Sequence, residues 1–150
     1  MSQKLEKEDI SKLSKFLKIN DESRKEIKLK EISDYLSRGY ASEINFEEHF
    51  IVKKNKKINT STHVLALKNG KSRIRNLVIS KETTEKDLFE LINDCVNYLK
   101  SKDYKQIEIT IESSLEKFFK KMGFKKIGQK NNSKSLMQYT STEEVQSDLK

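Results

Sequence analysis

Apolar positions along the chain recur at two different spacings, and each spacing predicts its own kind of element. In the first part they recur every three or four residues, which predicts an amphipathic helix from Asp9-Ile10 and a second helix over 21–39. From His49 the spacing falls to two, which is typical of strands. The strands predicted in this stretch are 50–52, 58–67 and 73–79.

Polar segments separate these elements. We expect residues 4–6 to form a short edge strand, 41–47 a loop and 53–57 a turn. Asn69-Gly70 predicts a hairpin turn of type I′, because both residues readily adopt the positive φ angles that such a turn needs.

The second half of the chain starts with a helix signal. Thr84-x-x-Asp87 predicts a capping box that begins a helix. The apolar face behind it comprises Leu88, Leu91, Ile92, Cys95 and Leu99. Residues 107–111 alternate as a strand does, and a short helix, capped by Ser113 or Ser114, is expected to end at Gly123. The apolar face of that short helix comprises Leu115, Phe118, Phe119 and Met122, and 124–127 and 136–139 read as a closing strand pair.

This order of elements predicts an α+β fold, with a mixed, mostly antiparallel sheet and helices on both of its faces. At 150 residues the chain is long enough for one domain with its own core. We expect that domain to cover residues 1–140, followed by a flexible tail over 141–150.

Composition narrows the class of protein. No window approaches the roughly 18 uninterrupted apolar residues that a membrane span needs, and the N-terminus lacks the apolar core of a signal peptide. The single cysteine, Cys95, cannot form an internal disulfide and suits a reducing compartment. We therefore expect a cytoplasmic protein with no membrane partner.

The net charge of +8 is concentrated in two segments, 41–80 and 112–137. Such basic zones favour a polyanionic partner: nucleic acid, an acidic protein surface, or the phosphates of a nucleotide cofactor. Lysine greatly outnumbers arginine, which weakens the nucleic-acid hypothesis because bidentate recognition of bases and phosphates favours arginine. The lysines of 53–57 could equally be a solvated turn.

A family resemblance is carried by three segments that follow one another along the chain: 74–79, 104–111 and 115–128. The most specific part is a helix that ends in Lys121-Met122-Gly123-Phe124-Lys125. Together the segments resemble the second half of the GCN5-related N-acetyltransferase (GNAT) fold. The resemblance implies binding of acetyl-CoA and transfer of its acetyl group to an amine, without a metal.

The resemblance also implies where the cofactor lies. The family's central strand diverges from its neighbour, and the pantetheine arm pairs with exposed backbone, here Leu77, Val78, Ile79 and Ser80. The diphosphate then lies over the N-terminus of the next helix, where amides and the helix dipole favour anions. In this chain those positions are Thr83, Thr84, Glu85 and Lys86.

The loop before that helix departs from the family pattern. Aligning the pattern Arg/Gln-x-x-Gly-x-Gly on Ile79 places Thr84 at the first position, and Asp87 and Phe89 at the two glycines. Hydroxyls at Thr83 and Thr84 and the ammonium groups of Lys81 and Lys86 could replace part of the lost contacts. We therefore predict a divergent member without the usual glycine-rich loop.

The catalytic groups are also unusual. Phe119 occupies the position of the tyrosine that protonates the departing thiolate in many members, and a phenyl ring cannot donate a proton. Candidates for a general base, by chain position only, are Glu47, Glu48, His49 and Ser72. Neither His49 nor His63 has a partner at metal-ligand spacing, so we predict no metal site.

Three functions remain open on the sequence. The first is an N-acetyltransferase, and the second is a catalytically inactive binding or regulatory domain of the same fold. The third is a small basic protein associated with nucleic acid. A homodimer is compatible with each of them.

Overall fold

The computed structural model describes residues 2–20 and 44–140, in which seven strands form one sheet with helices on both faces. The strands are β1 (Ser2–Lys4), β2 (Ile44–Lys54), β3 (Lys57–Leu67), β4 (Ser72–Ile79), β5 (Gln106–Glu112), β6 (Phe124–Asn131) and β7 (Lys134–Thr140). The α-helices are α1 (Ile10–Asn20), α2 (Glu85–Ser101) and α3 (Glu116–Lys121), and 3-10 turns at Lys7–Asp9 and Ser113–Leu115 precede α1 and α3.

The sheet has the strand order β1-β2-β3-β4-β5-β7-β6. Every neighbouring pair is antiparallel except β4 and β5, which run parallel because α2 forms the crossover between them. The predicted α+β class with a mostly antiparallel sheet is therefore confirmed.

Each face of the sheet has its own apolar core. The larger core packs α2 and α3 against one face and centres on fully buried residues such as Leu91, Ile109 and Phe119. The smaller core packs α1 against the other face through Leu13, Ile51 and their neighbours. We call these the α2 face and the α1 face. The prediction of helices on both faces is confirmed.

The type I′ turn lies in a different hairpin from the predicted one. The type I′ geometry belongs to the β2–β3 turn, where Asn55 and Lys56 have φ angles of 53° and 66°. At the β3–β4 turn only Gly70 has a positive φ, of 88°, and its amide donates to the carbonyl of Leu67. The Leu67 amide also donates to the Lys71 carbonyl, so the loop between these two residues comprises 68–70 and ends in a left-handed glycine. The type I′ prediction for Asn69-Gly70 was therefore wrong.

Several boundaries also moved. The predicted loop over 41–47 is wrong from Ile44 onward, because those residues already pair with β3. The predicted turn over 53–57 shortens to Asn55 and Lys56, and the edge strand lies at Ser2–Lys4 instead of 4–6. No side-chain hydrogen bond from Ser113 or Ser114 caps the helix that follows. The helix predicted over 21–39 and the tail over 141–150 lie outside the described residues.

Cys95 lies in the larger core with no exposed surface, and burial raises the pKa of its thiol well above the usual value. This is the environment of a structural thiol. Over 2–20 and 44–140, no helix is long and apolar enough to cross a membrane.

Candidate functional site

The two parallel strands at the centre of the sheet separate soon after they begin. β4 and β5 pair at only three positions, 72–74 with 107–109, although each strand continues beyond the last pair. A cleft with a volume of about 500 Å³ opens where they diverge. The hairpin of β6 and β7 supplies its remaining wall. The divergence of these two strands, which the family resemblance implied, is therefore present.

A bulge in β4 shapes the edge of this cleft. The register with β3 shifts between His63 and Ser61, and Asn76 has a φ of 55°. Ile74 and Leu77 both pack in the larger core although they are three residues apart, which a regular strand does not allow. The extra residue turns backbone of β4 away from the β3 ladder at the point where β5 has departed.

The polar walls of the cleft are mainly cationic. They carry one carboxylate, on Glu108, and four basic side chains, on Arg73, Arg75, Lys130 and Lys134. Arg73 lies 4.0 Å from the Glu108 carboxylate. Because Glu108 alternates with the core residues of β5, it lies on the α1 face of the sheet.

One wall is supported by a chain of polar side chains that crosses three strands. The Nε of Arg75 donates to Nδ1 of His63 over 2.9 Å, and Nε2 of His63 lies 2.9 Å from a carboxylate oxygen of Glu47. Since Nδ1 accepts from a guanidinium, Nε2 must carry the proton and donate to Glu47. The imidazole is therefore neutral in this arrangement and positions Arg75 rather than serving as a base.

Of the four candidates for a general base, Glu47 and His49 both lie beside His63, whereas Glu48 and Ser72 lie elsewhere. Glu47 belongs to the chain just described, and the His49 ring packs 5.7 Å from the His63 ring. Glu48 lies on the opposite face of β2, where burial raises the pKa of its carboxyl despite the opposing charge of Lys4. Ser72 is buried, and its hydroxyl donates to the Gln106 carbonyl.

The N-terminus of α2 forms the capping box that the sequence predicted. The Asp87 amide donates to the Thr84 hydroxyl, and the Thr84 amide donates to the Asp87 carboxylate. That carboxylate also accepts from Asn59 and from Lys54, whose Nζ is 2.9 Å away. Burial alone would raise the pKa of Asp87, but these hydrogen bonds outweigh it and lower the pKa to about 2.

The loop between β4 and α2 turns its hydroxyls inward. The Thr83 hydroxyl accepts from the Ser80 amide and donates to the Asn59 carbonyl, over 2.9 and 2.8 Å. Both threonine hydroxyls are thus engaged within the protein. Among the described residues no hydrogen bond to the amides of Glu85 and Lys86 is present, so these two donors face solvent at the helix end.

A second groove lies beside this helix end, on the α2 face, between α2 and α3. It has a volume of about 360 Å³. Its walls combine aromatic and thioether side chains with two lysines and one carboxylate: Phe89, Phe118, Met122, Lys86, Lys121 and Glu85. Phe89 is 48% exposed and gives the groove an apolar wall that is open to solvent.

Phe119 has no exposed surface. Its ring meets those of Phe118 and Phe124 edge to face, with centroids 5.4 and 5.3 Å apart. The aromatic position is therefore part of the core and offers no proton. In the part of the chain that the structure describes, no group of three His, Cys, Asp or Glu side chains could hold a metal ion.

Sequence reasoning missed Arg75 and Glu108, and it did not connect His63 with Glu47. A signal was present, because Arg75 and Glu108 lie on the polar positions of two strands that were predicted to diverge. Their meeting depends on the bulge at Asn76 and on strand register, and neither can be counted from the sequence.

Comparison with known protein families identifies one whose model matches most of this chain. The profile of the acetyltransferase (GNAT) domain matches residues 16–139. A search of the curated proteins finds no match.

Solved structures share the fold at low sequence identity. A probable acetyltransferase from Staphylococcus epidermidis ATCC 12228 has a TM-score of 0.77 and 17% identity, covering 95% of this chain and 99% of its own. The PaiA N-acetyltransferase from Thermoplasma acidophilum, in complex with coenzyme A, has a TM-score of 0.72 and 16% identity, covering 94% of this chain and 98% of its own. The ribosomal-protein-S18-alanine N-acetyltransferase from Escherichia coli has a TM-score of 0.67 and 9% identity, covering 93% of this chain and 92% of its own.

Proposed function

Because the chain belongs to the GNAT acetyltransferase family, we propose that it carries out acyl-CoA-dependent N-acetylation in the cleft between β4 and β5. The observation that carries this proposal is the separation of the two strands after three paired positions. The gap exposes one backbone edge of β4 to a ligand. A thioester lying in the gap would be open to an amine that approaches from the α1 face.

The pantetheine arm would extend the sheet as an additional strand along β4. Leu77, Val78, Ile79 and Ser80 follow the bulge, and β5 does not pair with them. A backbone edge without a partner strand is the surface to which an extended amide chain binds. Leu77 is partly buried against the larger core and Ile79 is 42% exposed, which suits an edge that borders a ligand.

The diphosphate would lie at the start of α2 without the help of glycines. The amides of Glu85 and Lys86 are the donors that the capping box leaves available. The ammonium groups of Lys86 and Lys121 line the adjacent groove and would supply countercharge. Thr83 and Thr84 would contribute by fixing the loop, since their hydroxyls bond to the protein itself.

The reaction would be a direct transfer. The lone pair of a neutral amine attacks the thioester carbonyl, and the carbon–nitrogen bond forms as a tetrahedral oxyanion develops. Collapse of that intermediate breaks the carbon–sulfur bond and releases coenzyme A as its thiolate. Backbone amides near Val78 and Ile79 would stabilise the oxyanion, and the rate would come chiefly from positioning.

Glu108 is the carboxylate in the cleft that would take the proton from the amine, directly or through water. With Phe119 buried, no phenol stands at that position to protonate the thiolate. A thiol with an ordinary pKa of about 8.5 leaves as an anion at modest cost near neutral pH. Solvent can then protonate it.

Isothermal titration with acetyl-CoA, followed by a thiol-release assay with a panel of primary amines, tests this function. We expect binding that is weakened severalfold by the double substitution of Lys86 and Lys121 with alanine. Lys71→Ala, in the β3–β4 turn away from both grooves, is the matched control. Absence of binding at millimolar acetyl-CoA would refute the enzyme proposal.

A catalytically inactive domain of the same fold is the second candidate. The observation that favours it is Asp87, whose carboxylate already accepts from an amide at the helix end. In that case coenzyme A would not bind, and the cleft would serve a different ligand. Titration with coenzyme A alone separates the two candidates.

The remaining expectations stay predictions. Lys53 and Lys54 of the β2–β3 hairpin form ion pairs with Asp9 and Asp87, which gives these lysines a structural role and weakens the nucleic-acid hypothesis. Cell fractionation tests the predicted cytoplasmic location. Limited proteolysis tests the single domain over 1–140 and the tail over 141–150, and light scattering tests the homodimer.

A further inference from the structure

One lysine of the cleft wall is set apart by the strand register of the β6–β7 hairpin. Gln129 pairs with Ser135, and Asn131 pairs with Lys134. Lys130 therefore has no partner residue on β7 and is the extra residue of a β-bulge. A bulge interrupts the alternation of a strand and redirects a side chain, and bulges are frequent beside active sites. The side chain of Lys130 lines the β4–β5 cleft, although β6 is the edge strand of the sheet.

The two lysines of this cleft differ in how the protein holds them. The ammonium group of Lys134 bonds to the Glu112 carboxylate over 2.9 Å. Lys130 is exposed, and within 2–20 and 44–140 it forms no hydrogen bond and no ion pair. A lysine without a partner keeps the freedom of its four-carbon stem. Its amine can therefore move within the cleft.

The cleft would then contain both reactants of an acyl transfer. The thioester would lie in the gap between β4 and β5, and Lys130 lines that same gap. The carboxylate of Glu108 lies in the wall as well and can accept a proton. A primary amine held beside an electrophile reacts far faster than one in free solution, because its effective concentration is high. Lys130 thus meets the chemical requirement that an external amine acceptor meets.

We propose that Lys130 is a site of self-acetylation, at which the cleft transfers the acetyl group of acetyl-CoA to the protein's own lysine. The proposal rests on the proposed function for its acyl donor and goes beyond it in assigning a covalent modification. The lone pair of the neutral Nζ attacks the thioester carbonyl carbon and forms the carbon–nitrogen bond. The carbon–sulfur bond then breaks, and coenzyme A leaves as its thiolate. The proton that the nitrogen loses passes to Glu108, directly or through water.

Other lysines lack this combination of position and freedom. Lys86 and Lys121 line the groove between α2 and α3, where they would face the phosphates of the donor and not its thioester. Lys71, in the β3–β4 turn, is exposed and lines neither groove. It therefore measures how fast acetyl-CoA modifies an exposed lysine without help from the cleft.

The test is a time course of the unmodified protein with acetyl-CoA, in which peptide mass spectrometry follows the acetylated fraction of each lysine. We expect the initial rate at Lys130 to exceed that at Lys71 by about a hundredfold, the effect of holding the amine beside the thioester. The same two rates should become equal when the protein is unfolded in urea. Lys130→Arg should remove the fast phase, whereas Lys71→Arg should leave it unchanged.

Two results would overturn the inference. The first is acetylation of Lys130 no faster than that of Lys71 in the folded protein. The second is a rate constant at Lys130 that rises in proportion to protein concentration, because transfer within one chain does not depend on dilution. A constant rate over a dilution series supports the proposal.

A second acyl donor separates this inference from the proposed function. S-acetyl-N-acetylcysteamine carries the thioester end of acetyl-CoA but lacks its diphosphate. If acetyl-CoA does not bind and this donor still labels Lys130 ahead of Lys71, the proposed function fails while the reactive lysine of the cleft stands. If external amines are acetylated but neither donor labels Lys130 ahead of Lys71, the inference fails in an active enzyme.

Discussion

Two regions of this protein carry positive potential, the N-terminus of α2 and the β4–β5 cleft. They differ in which groups of the protein neutralise that potential. At the N-terminus of α2 the protein supplies its own anion, because Asp87 accepts from Thr84, Asn59 and Lys54. At the β4–β5 cleft the wall contains four cations and one carboxylate, and a neutral imidazole supports Arg75. The comparison teaches that the cap of a helix can already neutralise part of the positive potential that a diphosphate would use, whereas the charged groups of the cleft wall are held in pairs, Arg73 with Glu108 and Lys134 with Glu112.

The largest effect should come from Glu108→Gln, which leaves the shape of the cleft but removes its carboxylate. We expect kcat to fall by about a hundredfold, the usual contribution of a positioned base, while acetyl-CoA binding is retained. A thiol-release assay and a calorimetric titration measure the two quantities. Unchanged turnover would mean that the proton leaves by another route.

The next largest effect is expected for Asp87→Asn, which tests the N-terminus of α2. Its folded pKa of about 2 lies below the usual value of 3.8, so its ionic contribution is present above about pH 4 and is lost as pH falls toward 2. The shift corresponds to about 2 kcal/mol of unfolding free energy at pH 7. Urea unfolding at pH 7 should show this loss in the variant.

The same variant sharpens the comparison between the regions at low pH. The unmodified protein should lose this contribution as the pH drops from 4 toward 2, and the difference in stability between the two proteins should shrink accordingly. A difference that stays constant over that range would show that packing, and not charge, explains the effect of the substitution.

A smaller effect is expected on cofactor binding. Removing the Asp87 charge should strengthen binding of coenzyme A by about two- to fivefold, since a full negative charge no longer stands within the first turn of the helix. Substituting Lys86 alone by alanine should weaken binding by a similar factor. If both variants bind as the unmodified protein does, the diphosphate is held elsewhere.

The smallest effect should follow from Glu47→Gln, which keeps an acceptor for the His63 Nε2 proton and removes a charge behind the Arg75 wall. We expect KM for the amine acceptor to rise by about two- to fivefold with kcat unchanged, because a positioning group acts through binding. A fall in kcat alone would instead give Glu47 a role in proton transfer.

Most of the elements could be read from the sequence because they depend on local patterns. The capping box at Thr84 and Asp87 and the apolar stripe from Leu88 to Leu99 were predicted correctly, since cap spacing and helical period are properties of neighbouring residues. The type I′ turn was assigned to the wrong hairpin. Asn-Gly is its usual signal, but loop length and strand register placed it at Asn55 and Lys56.

The amino-acid sequence by itself determined the order of helices and strands, the family, and the absence of a phenol at position 119. Tertiary structure alone decided how the site is assembled. The bulge at Asn76 and the register of three strands bring Glu47, His63 and Arg75 into one line. The physical reason is that hydrogen-bonded register and strand divergence depend on contacts between residues distant in the chain, which no local pattern specifies.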